Sequence, residues 1–443
     1  MAVAVAMPDR AAKYRIRVRN KDLQFIGEVP HWIRLQVQLY FNEVSKWVLE
    51  LDLNSEGAKH FLNIAADSAN GGKGGVYIER NGYFLLSGPM TEITETVSAE
   101  EGERLIVSGS CDLQWIADHL ALPHPKYMSS PFMTTDGTAN GGHSDYFPNL
   151  ADTTTNAKAS THIHTFVWDN IGEGQEQSSR RLSFLTTRDN LVGYTIPNNE
   201  RSIGRGQNLF ELCQGIADYS EYKGYPIRMI AYQYQSGANP DGSPAYKIRF
   251  ETVAVQTKPN VILSPDLGTI TDWTYTRQRP EANQILMAGS GQGKSRKFNY
   301  AGDEPSKALY GVIEAFEEYT AAQPNNGDGD PKWSEERAIL FKEIYAKLAE
   351  YAEKTIFTFT FQETPTIQYG RDFQIGDKVS VRLKRQSTTD IVRAVSFDVS
   401  ENEERIELVV GKQSAISRGL RLFDRVKNLE YRYNGLTKRT LGE

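Results

Sequence analysis

The chain has 443 residues, of which 39% are hydrophobic and 24% charged, proportions that fit a globular protein and exclude wholesale disorder. Its 50 Lys and Arg residues against 56 Asp and Glu give a net charge of −6, whereas a dedicated nucleic-acid binder is more often basic. The two cysteines, Cys111 and Cys213, are too few for a disulfide scaffold or a four-cysteine zinc module, and no apolar run is long enough for a transmembrane helix.

At roughly 100–200 residues per domain, the length of the chain implies about two to four domains.

Strand patterns dominate the amino-terminal part of the chain. Apolar residues alternate with polar ones over Tyr14–Leu53, which predicts consecutive strands with Arg15, Arg17 and Arg19 on one face. Helical spacing and a capping serine predict a short helix over Ser55–Ala66.

A hairpin follows this helix. Asn81-Gly82, a strong signal for a two-residue turn, joins predicted strands over Val76–Glu79 and Tyr83–Ser87. A further strand is expected over Arg104–Gly109 and a short helix over Asp112–Leu120. The amino-terminal region is therefore predicted to be strand-rich with two short helices.

The middle of the chain is predicted to be an α+β unit. The polar, Gly- and Thr-rich stretch Leu122–Ser160 has the composition of a loop or linker. Apolar residues at 3–4 spacing predict a helix over Asn208–Tyr222. Predicted strands surround this helix: His162–Trp168, Leu182–Thr186, Val192–Ile196, Ile227–Gln235, Tyr246–Ala254 and Gln284–Ala288.

The carboxyl-terminal part combines one long helix with a second strand-rich region. No clear element is predicted over Ala301–Pro331, whereas Ser334–Thr355 has the strongest helical pattern of the chain. Four short strands then follow within about 60 residues, which is typical of a small barrel. These strands are Ile356–Glu363, Asp377–Leu383, Ile391–Val399 and Arg405–Val410.

The tail Ser414–Glu443 is locally basic, with seven Lys and Arg residues against three Asp and Glu. In it Leu422, Val426, Leu429 and Tyr433 recur at helical spacing. Two interpretations stay open: a helix that docks on a neighbouring subunit, or a frayed basic terminus.

One string resembles a phosphate-binding loop. Ala288–Ser295, AGSGQGKS, lacks the first glycine of G-x-x-x-x-G-K-S/T, where Ala288 stands instead. The residues after it do not have the pattern of an amphipathic helix, so a bound phosphate would lack the helix N-terminus. A basic loop is therefore expected here, with no nucleotide cofactor.

Two metal-like patterns are also incomplete. Asn326, Asp328 and Asp330 resemble the start of a calcium loop, but the glycine and the glutamate that such a loop requires are absent from their positions. His162 and His164, two apart on a predicted strand, would point to one face, and His143 is the nearest candidate third ligand. A solvated turn and ordinary strand histidines are the favoured interpretations.

Catalytic signatures are weak throughout the sequence. It contains no G-x-S-x-G elbow, H-E-x-x-H helix or evident cysteine–histidine arrangement. A carboxylate pair of the kind used by glycosidases cannot be read from spacing, because the two acids need only meet in space. The helix residues Glu335, Glu336, Glu343 and Glu350 are expected to form a solvated face. No catalytic, cofactor-binding or metal-binding residue is assigned, and a non-enzymatic protein without cofactors is expected.

The order and spacing of several strings are more informative than these motifs. They are RIRVRNKD, LYFNEVSKWVLEL, LLSGPM, LIVSGSCDLQWIADHLALPHP and YGRDFQIGDKVSVRL. The best-fitting residues are Phe41, Asn42, Trp47, Leu49 and Leu51, then Ser87, Gly88 and Pro89, then Gly376, Asp377 and Val379. With this pattern, roughly Tyr14–Gly411 resembles the minor tail proteins of long-tailed phages, in particular the tail-hub or tail-associated family. The amino-terminal portion is similar to the central baseplate hub of contractile phages.

The resemblance implies a strand-rich α+β fold in which two small tube-type β-barrels flank an α+β insert, with three chains forming a ring. It places a first barrel at residues 8–121 and the insert at 122–300. A helical segment at 301–355, a second barrel at 356–413 and a basic tail at 414–443 complete the expected organisation. The loop Asp136–Ala159 and the tail past Gly411 have no counterpart in the family pattern.

The resemblance also implies a role and partners. A homotrimeric hub would close the distal end of the tail tube, adapt a sixfold tube to a threefold tip, and anchor tip or fibre proteins during DNA delivery. Its partners would be the distal tail protein ring, tip or fibre proteins and the tape measure protein, with DNA passing the lumen without specific binding and no membrane insertion. The protein would be made in the host cytoplasm and reside in the virion tail tip of a phage or a phage-derived injection particle.

Two alternatives stay open from the sequence. One is a tail-associated peptidoglycan hydrolase, and the other is a receptor-binding or carbohydrate-binding tail protein. The six tryptophans are spread along the chain and give no support to a sugar-stacking platform. The 22 tyrosines favour strands and subunit interfaces.

Overall fold

A computed structural model describes residues 12–66, 74–98, 102–122, 156–197, 202, 206–289, 296–319, 333–400 and 403–411. By its internal contacts the chain divides into unit 1, residues 1–273 and 358–409, and unit 2, residues 274–357 and 410–443. None of the helices in the described part of the chain is both long enough and apolar enough to cross a bilayer.

Strands outnumber helices in the described residues. The strands are β1 Tyr14–Arg19, β2 Phe25–Glu28, β3 Arg34–Tyr40, β4 Lys46–Asp52, β5 Gly75–Arg80, β6 Tyr83–Ser98, β7 Gly102–Ser110, β8 Ala157–Lys158, β9 Leu185–Arg188, β10 Thr195–Ile196, β11 Ile227–Ala238, β12 Pro244–Ala254, β13 Thr257–Leu263, β14 Ile270–Gln278, β15 Gln284–Ala288, β16 Phe298–Gly302, β17 Glu314–Glu318, β18 Lys354–Phe361, β19 Lys378–Arg382, β20 Ser387–Ser400 and β21 Glu404–Val410. The α-helices are α1 Glu56–Ala66, α2 Gln114–Ala117, α3 Ala159–Asn170, α4 Leu209–Tyr222, α5 Glu304–Tyr310 and α6 Trp333–Tyr351.

The main sheet of unit 1 joins strands from both ends of the sequence. Its hydrogen-bonded order runs β21–β20–β3–β4–β7–β6–β5–β1–β2, and β19 pairs with another stretch of β20. β3 and β20 are antiparallel over the register Tyr40↔Ala394 to Arg34↔Ser400. The two strand-rich regions predicted from the sequence therefore share one sheet. Among the described residues no closed barrel is detected, and the organisation into two barrels remains a proposal.

Alternation along β3 and β4 builds the core of this sheet. Leu35, Val37 and Leu49 are fully buried while their neighbours in sequence face outward, as the period of two requires. Trp47 is buried beside Phe61 of α1, with ring centroids 6.5 Å apart. The amino-terminal helix predicted from the sequence thus covers one face of the predicted strands.

The described residues between 156 and 254, which belong to the insert predicted at 122–300, form a small α+β layer within unit 1, and we refer to this layer as the insert. β11 and β12 form a hairpin through Asp241-Gly242, where Gly242 adopts a positive φ of 83°, and β9 adds in parallel to β12. Helix α4 begins with Asn208, whose side chain accepts hydrogen bonds from the backbone N–H groups of Phe210 and Glu211 at 2.9 and 3.1 Å. This N-cap explains why the helix predicted over Asn208–Tyr222 starts where it does.

The strand predicted over His162–Trp168 is wrong, because these residues lie in helix α3. The buried positions Ile163, Phe166 and Val167 follow helical spacing. Two further predicted elements are shorter than expected: Asp112–Leu120 contains only α2, and Val192–Ile196 contains only β10. Most of the loop predicted over Leu122–Ser160 lies outside the described residues.

Unit 2 contains a three-stranded sheet of order β16–β15–β17. Its buried face carries Ile285 and Met287, which pack against Leu340, Ile344 and Leu348 of α6. The helix predicted over Ser334–Thr355 is confirmed as α6, but it ends at Tyr351, and Thr355 lies in strand β18. The region Ala301–Pro331, to which the sequence assigned no element, contributes α5 and β17.

Candidate functional site

The catalytic and metal patterns of the sequence do not assemble in the described residues. On helix α3 the side chains of His162 and His164, two residues apart, lie on different sides, and His143 is outside the described residues. No group of three or more metal-ligating side chains lies close together in the part of the chain that the structure describes. Asn326, Asp328 and Asp330 also lie outside it.

The phosphate-loop string is followed by a strand. β15 ends at Ala288 as predicted, residues 290–295 lie outside the described chain, and the next element is β16, Phe298–Gly302. A phosphate loop requires a helix at this point, because the helix N-terminus supplies the donors. The geometry gives no support to nucleotide binding.

The strings that carried the family resemblance converge instead at the junction between the insert and the main sheet. We define the junction by a set of buried polar residues, each at most 6% exposed: Arg19, Asn42, Ser87, Asp112 and Gln233. Arg19 donates from its two terminal nitrogens to the Asp112 carboxylate at 2.6 and 3.1 Å. Ser87 Oγ donates to the same carboxylate at 2.6 Å.

Gln233 extends this network into the insert. Its side-chain oxygen accepts from Arg19 at 3.0 Å, its amide nitrogen donates to the Leu23 carbonyl at 2.8 Å, and its backbone N–H donates to Ser87 Oγ at 3.0 Å. Neutral donors and acceptors thus surround the Asp112 carboxylate and the terminal nitrogens of Arg19, which lowers the cost of burying the pair. The insert strand β11 is fixed to β1 and β6 by side chains.

Asn42 makes a second attachment to β11. Its side chain donates to the Ile227 carbonyl at 2.8 Å and accepts from the Met229 backbone N–H at 2.7 Å, which copies the pairing of a neighbouring strand. The residue has a positive φ of 54°, a conformation that asparagine tolerates better than most residues. Gln214 of α4 donates to the Asn42 carbonyl at 2.7 Å. The edge of β11 is thereby covered, which protects it from pairing with other chains.

The S-G-P string marks the place where β6 changes partner. β6 pairs with β5 up to Pro89 and with β7 from Met90 onward. A Cβ atom on Gly88 would lie 1.7 Å from the Ser110 carbonyl oxygen, so only glycine allows this approach of the two backbones. The position of Ser87 in the junction depends on this bend.

The late G-D-x-V string also reaches the junction. Gly376 has a positive φ of 85°, and a Cβ there would lie 2.6 Å from the Arg228 side chain and 3.1 Å from the Phe41 ring. Asp377 accepts from the Gln374 backbone N–H at 3.0 Å, and burial raises the pKa of its carboxyl. This turn therefore packs the strand-rich carboxyl-terminal region against the start of β11.

Three further ion pairs hold the carboxyl-terminal strands. Arg80, 2% exposed, contacts Glu363 at 2.8 Å and Glu404 at 2.7 Å. Arg393 of β20 pairs with Glu221 of α4, and its guanidinium lies 4.8 Å from the Phe41 ring centroid. Sequence reasoning missed these pairs, because their members lie 172 to 324 positions apart.

The surface of unit 1 carries a continuous row of aromatic rings and arginines. We call it the aromatic face, and its members are Arg17, Phe25, Tyr77, Phe84, Tyr232, Tyr234, Tyr246 and Arg249. The Arg17 guanidinium lies 4.2 Å from the Phe25 centroid and 4.6 Å from that of Tyr77. Phe84 is 42% exposed. Tyrosine and arginine with one face in solvent are the composition of protein interfaces.

Several solved structures are similar to the chain. A tail protein from Neisseria meningitidis MC58 has a TM-score of 0.48 and 10% identity, over 90% of this chain and 97% of that chain. The prophage MuSo2 43 kDa tail protein from Shewanella oneidensis has a TM-score of 0.49 and 10% identity, over 89% and 98%. The prophage tail protein gp18 from Listeria monocytogenes EGD-e has a TM-score of 0.45 and 11% identity, over 93% and 99%. Similarity of this strength does not establish a shared function.

Among curated proteins none matches this sequence. The family comparison is decisive, because the matching family model covers residues 15–412. The match shows that the chain is a tail protein of the siphovirus class. In particular, the chain belongs to the family described as Siphovirus ReqiPepy6 Gp37-like protein. The resemblance to long-tailed phage tail proteins expected from the sequence is confirmed.

Proposed function

We propose that this protein is a structural hub of the phage tail tip or baseplate, which closes the distal end of the tail tube and attaches tip or fibre proteins. The observation that carries the proposal is the family match over residues 15–412. The junction supports it, since a buried ion pair and side-chain hydrogen bonds attach β11 of the insert to the main sheet.

The hub is a homotrimer in this proposal, with two tube-type barrels per chain at residues 8–121 and 356–413. Three chains then present six similar units to a hexameric tube and three to the tip. The aromatic face supplies a surface suited to a subunit or partner contact. Its neighbours would be the distal tail protein ring, the tape measure protein and the tip or fibre proteins.

Copy number and position in the particle test this arrangement directly. We expect a density map of the virion to contain three copies at the distal end of the tube. Six copies, or a peripheral fibre position, would refute the hub. In solution, the 49.8 kDa chain should reach the mass of three copies at high concentration or on addition of its tail partners.

The proposal includes no catalytic, metal or cofactor site. Purified protein incubated with labelled peptidoglycan should release no soluble fragments, and release would favour the tail-associated hydrolase instead. The net charge of −6 suits a wall that DNA passes without being held, because basic linings gain affinity by releasing counterions. The protein would be made in the host cytoplasm and incorporated into the virion.

A further inference from the structure

The three-stranded sheet of unit 2 has an open face that is apolar. Across this face Tyr300, Leu286 and Phe316 stand directly opposite one another on β16, β15 and β17. Their exposed fractions are 69%, 42% and 54%. A sheet face turned to solvent is normally polar, and a contiguous apolar row marks a contact site.

Polar groups lie on both sides of this row, where Glu314 and Glu318 stand two positions from Phe316 along β17. On one side Gln284 donates to Glu314 at 2.8 Å, and on the other Arg296 pairs with Glu318 at 2.7 Å. Because a neutral amide does not cancel the charge of Glu314, the first side stays acidic. A groove of about 480 Å³ lies along the row and is lined by Leu286, Tyr300, Phe316, Gln284, Glu314 and Ala315.

The opposite face of the sheet is already occupied. Ile285 and Met287 point to α6, as do Ala315 and Glu317, whose carboxylate accepts from the Tyr351 hydroxyl. The apolar row therefore cannot be covered by rotation of α6. Its occupant must come from another segment or another molecule.

We infer that the open face of this sheet binds the carboxyl-terminal segment of the chain, residues 412–443. The segment is chemically complementary to the apolar row. Its residues at helical spacing would form one apolar stripe that can contact the row: Leu422, Val426, Leu429 and Tyr433. Residues 414–443 carry seven Lys and Arg against three Asp and Glu, whereas residues 274–357 carry 11 against 13. Attraction between the basic segment and the acidic unit favours their association.

Connectivity also favours this occupant. The segment starts after Gly411, which belongs to unit 2, where a Cβ on Gly411 would lie 2.1 Å from the Thr355 carbonyl oxygen. Residues 412–421 can span at most about 33–36 Å before the apolar stripe begins. The stripe is thus held at a high local concentration near the unit that carries the groove.

Disulfide trapping in the full-length chain tests the inference. Cys111 and Cys213 are buried, so L286C combined with V426C introduces the two accessible thiols. We expect this pair to oxidise at least about tenfold faster than the matched pair L286C with N428C, since residue 428 lies off the stripe. A bond within one chain or between two chains supports the inference equally, since the segment is the occupant in both cases.

Three results would overturn it. Equal oxidation rates for V426C and N428C would show that the stripe is not docked. Faster pairing of L286C with L286C of a second copy would make the sheet face itself the occupant. The third result is an equal rate of maleimide reaction at L286C with and without the added V426E and L429E changes. Equal rates would mean that the segment does not cover the face.

Discussion

Removing the Asp112 carboxylate should cost more stability than any surface ion pair of this protein. Asp112 is fully buried and accepts from Arg19 twice, from Ser87, and from the Trp115 indole at 3.1 Å. Asp112→Ala leaves the Arg19 charge buried and uncompensated, a change that costs about 3–5 kcal/mol. Typical domains have about 5–15 kcal/mol of unfolding free energy, so the loss should be a large fraction of the total.

Urea unfolding followed by tryptophan fluorescence and far-UV circular dichroism measures this effect. The matched control is Glu28→Ala, which removes the ion pair of Glu28 with Arg15, whose side chains are 49% and 57% exposed. That change should lower the unfolding free energy by about 1 kcal/mol or less, because solvent screens the pair. Coincident transitions in the two signals are required before free energies are compared.

A double replacement separates the ion pair from simple loss of packing. Arg19→Met with Asp112→Leu removes both charges and should recover a substantial part of the stability lost in Asp112→Ala. The reasoning is refuted if Asp112→Ala is no more destabilising than Glu28→Ala. It is also refuted if the double replacement is as unstable as the single one, since the buried unpaired charge would then not be the cause.

Three further outcomes are expected. Burial lowers the pKa of His119 and His164 below the ordinary 6.5. The folding stability that the two neutral side chains contribute is therefore present above that pH and is lost as the pH falls through their lowered pKa. The double variant His119→Gln with His164→Gln should show a smaller decrease of the urea midpoint at acid pH. Gly88→Ala should prevent folding. Gly215→Ala in α4, where a Cβ meets nothing within 4 Å, should raise the free energy of unfolding by about 0.5–1 kcal/mol. Burial raises the pKa of Cys111 to about 11, so native protein should not react with a thiol reagent at about pH 8 until it is unfolded.

Local signals were sufficient for much of the secondary structure. Asn81-Gly82 forms the predicted hairpin turn with both residues at positive φ, and Asn208 caps the predicted helix. The strands β13, β14, β16 and β17 were missed, and the exposed residues of the last two include Phe298 and Phe316. Their apolar residues face solvent as well as the core, so they do not show the alternation that identifies a half-buried strand.

The junction could not be predicted from the sequence, for a different reason. Alternation placed Arg15, Arg17 and Arg19 on one face, and the structure keeps the alternation as far as Val18, but Arg19 is fully buried. Its partners Asp112 and Gln233 lie 93 and 214 positions away, and no local pattern indicates which arginine of the three they cover. The quoted strings did contain Asn42, Ser87 and Gly376, but nothing in their spacing indicated that all three lie beside β11.

The pairing of β3 with β20 has a consequence for synthesis of the protein. Between Tyr40 and Ser387 the ribosome must add roughly 350 residues, which takes on the order of 20–70 s at typical elongation rates. During that time one edge of β3 has no native partner, and an unpaired apolar strand is a site of aggregation. Overproduction of this chain should therefore be limited by the time during which β3 lacks β20. Fewer chains started at once, or more chaperone, should raise the soluble yield more than added stability does.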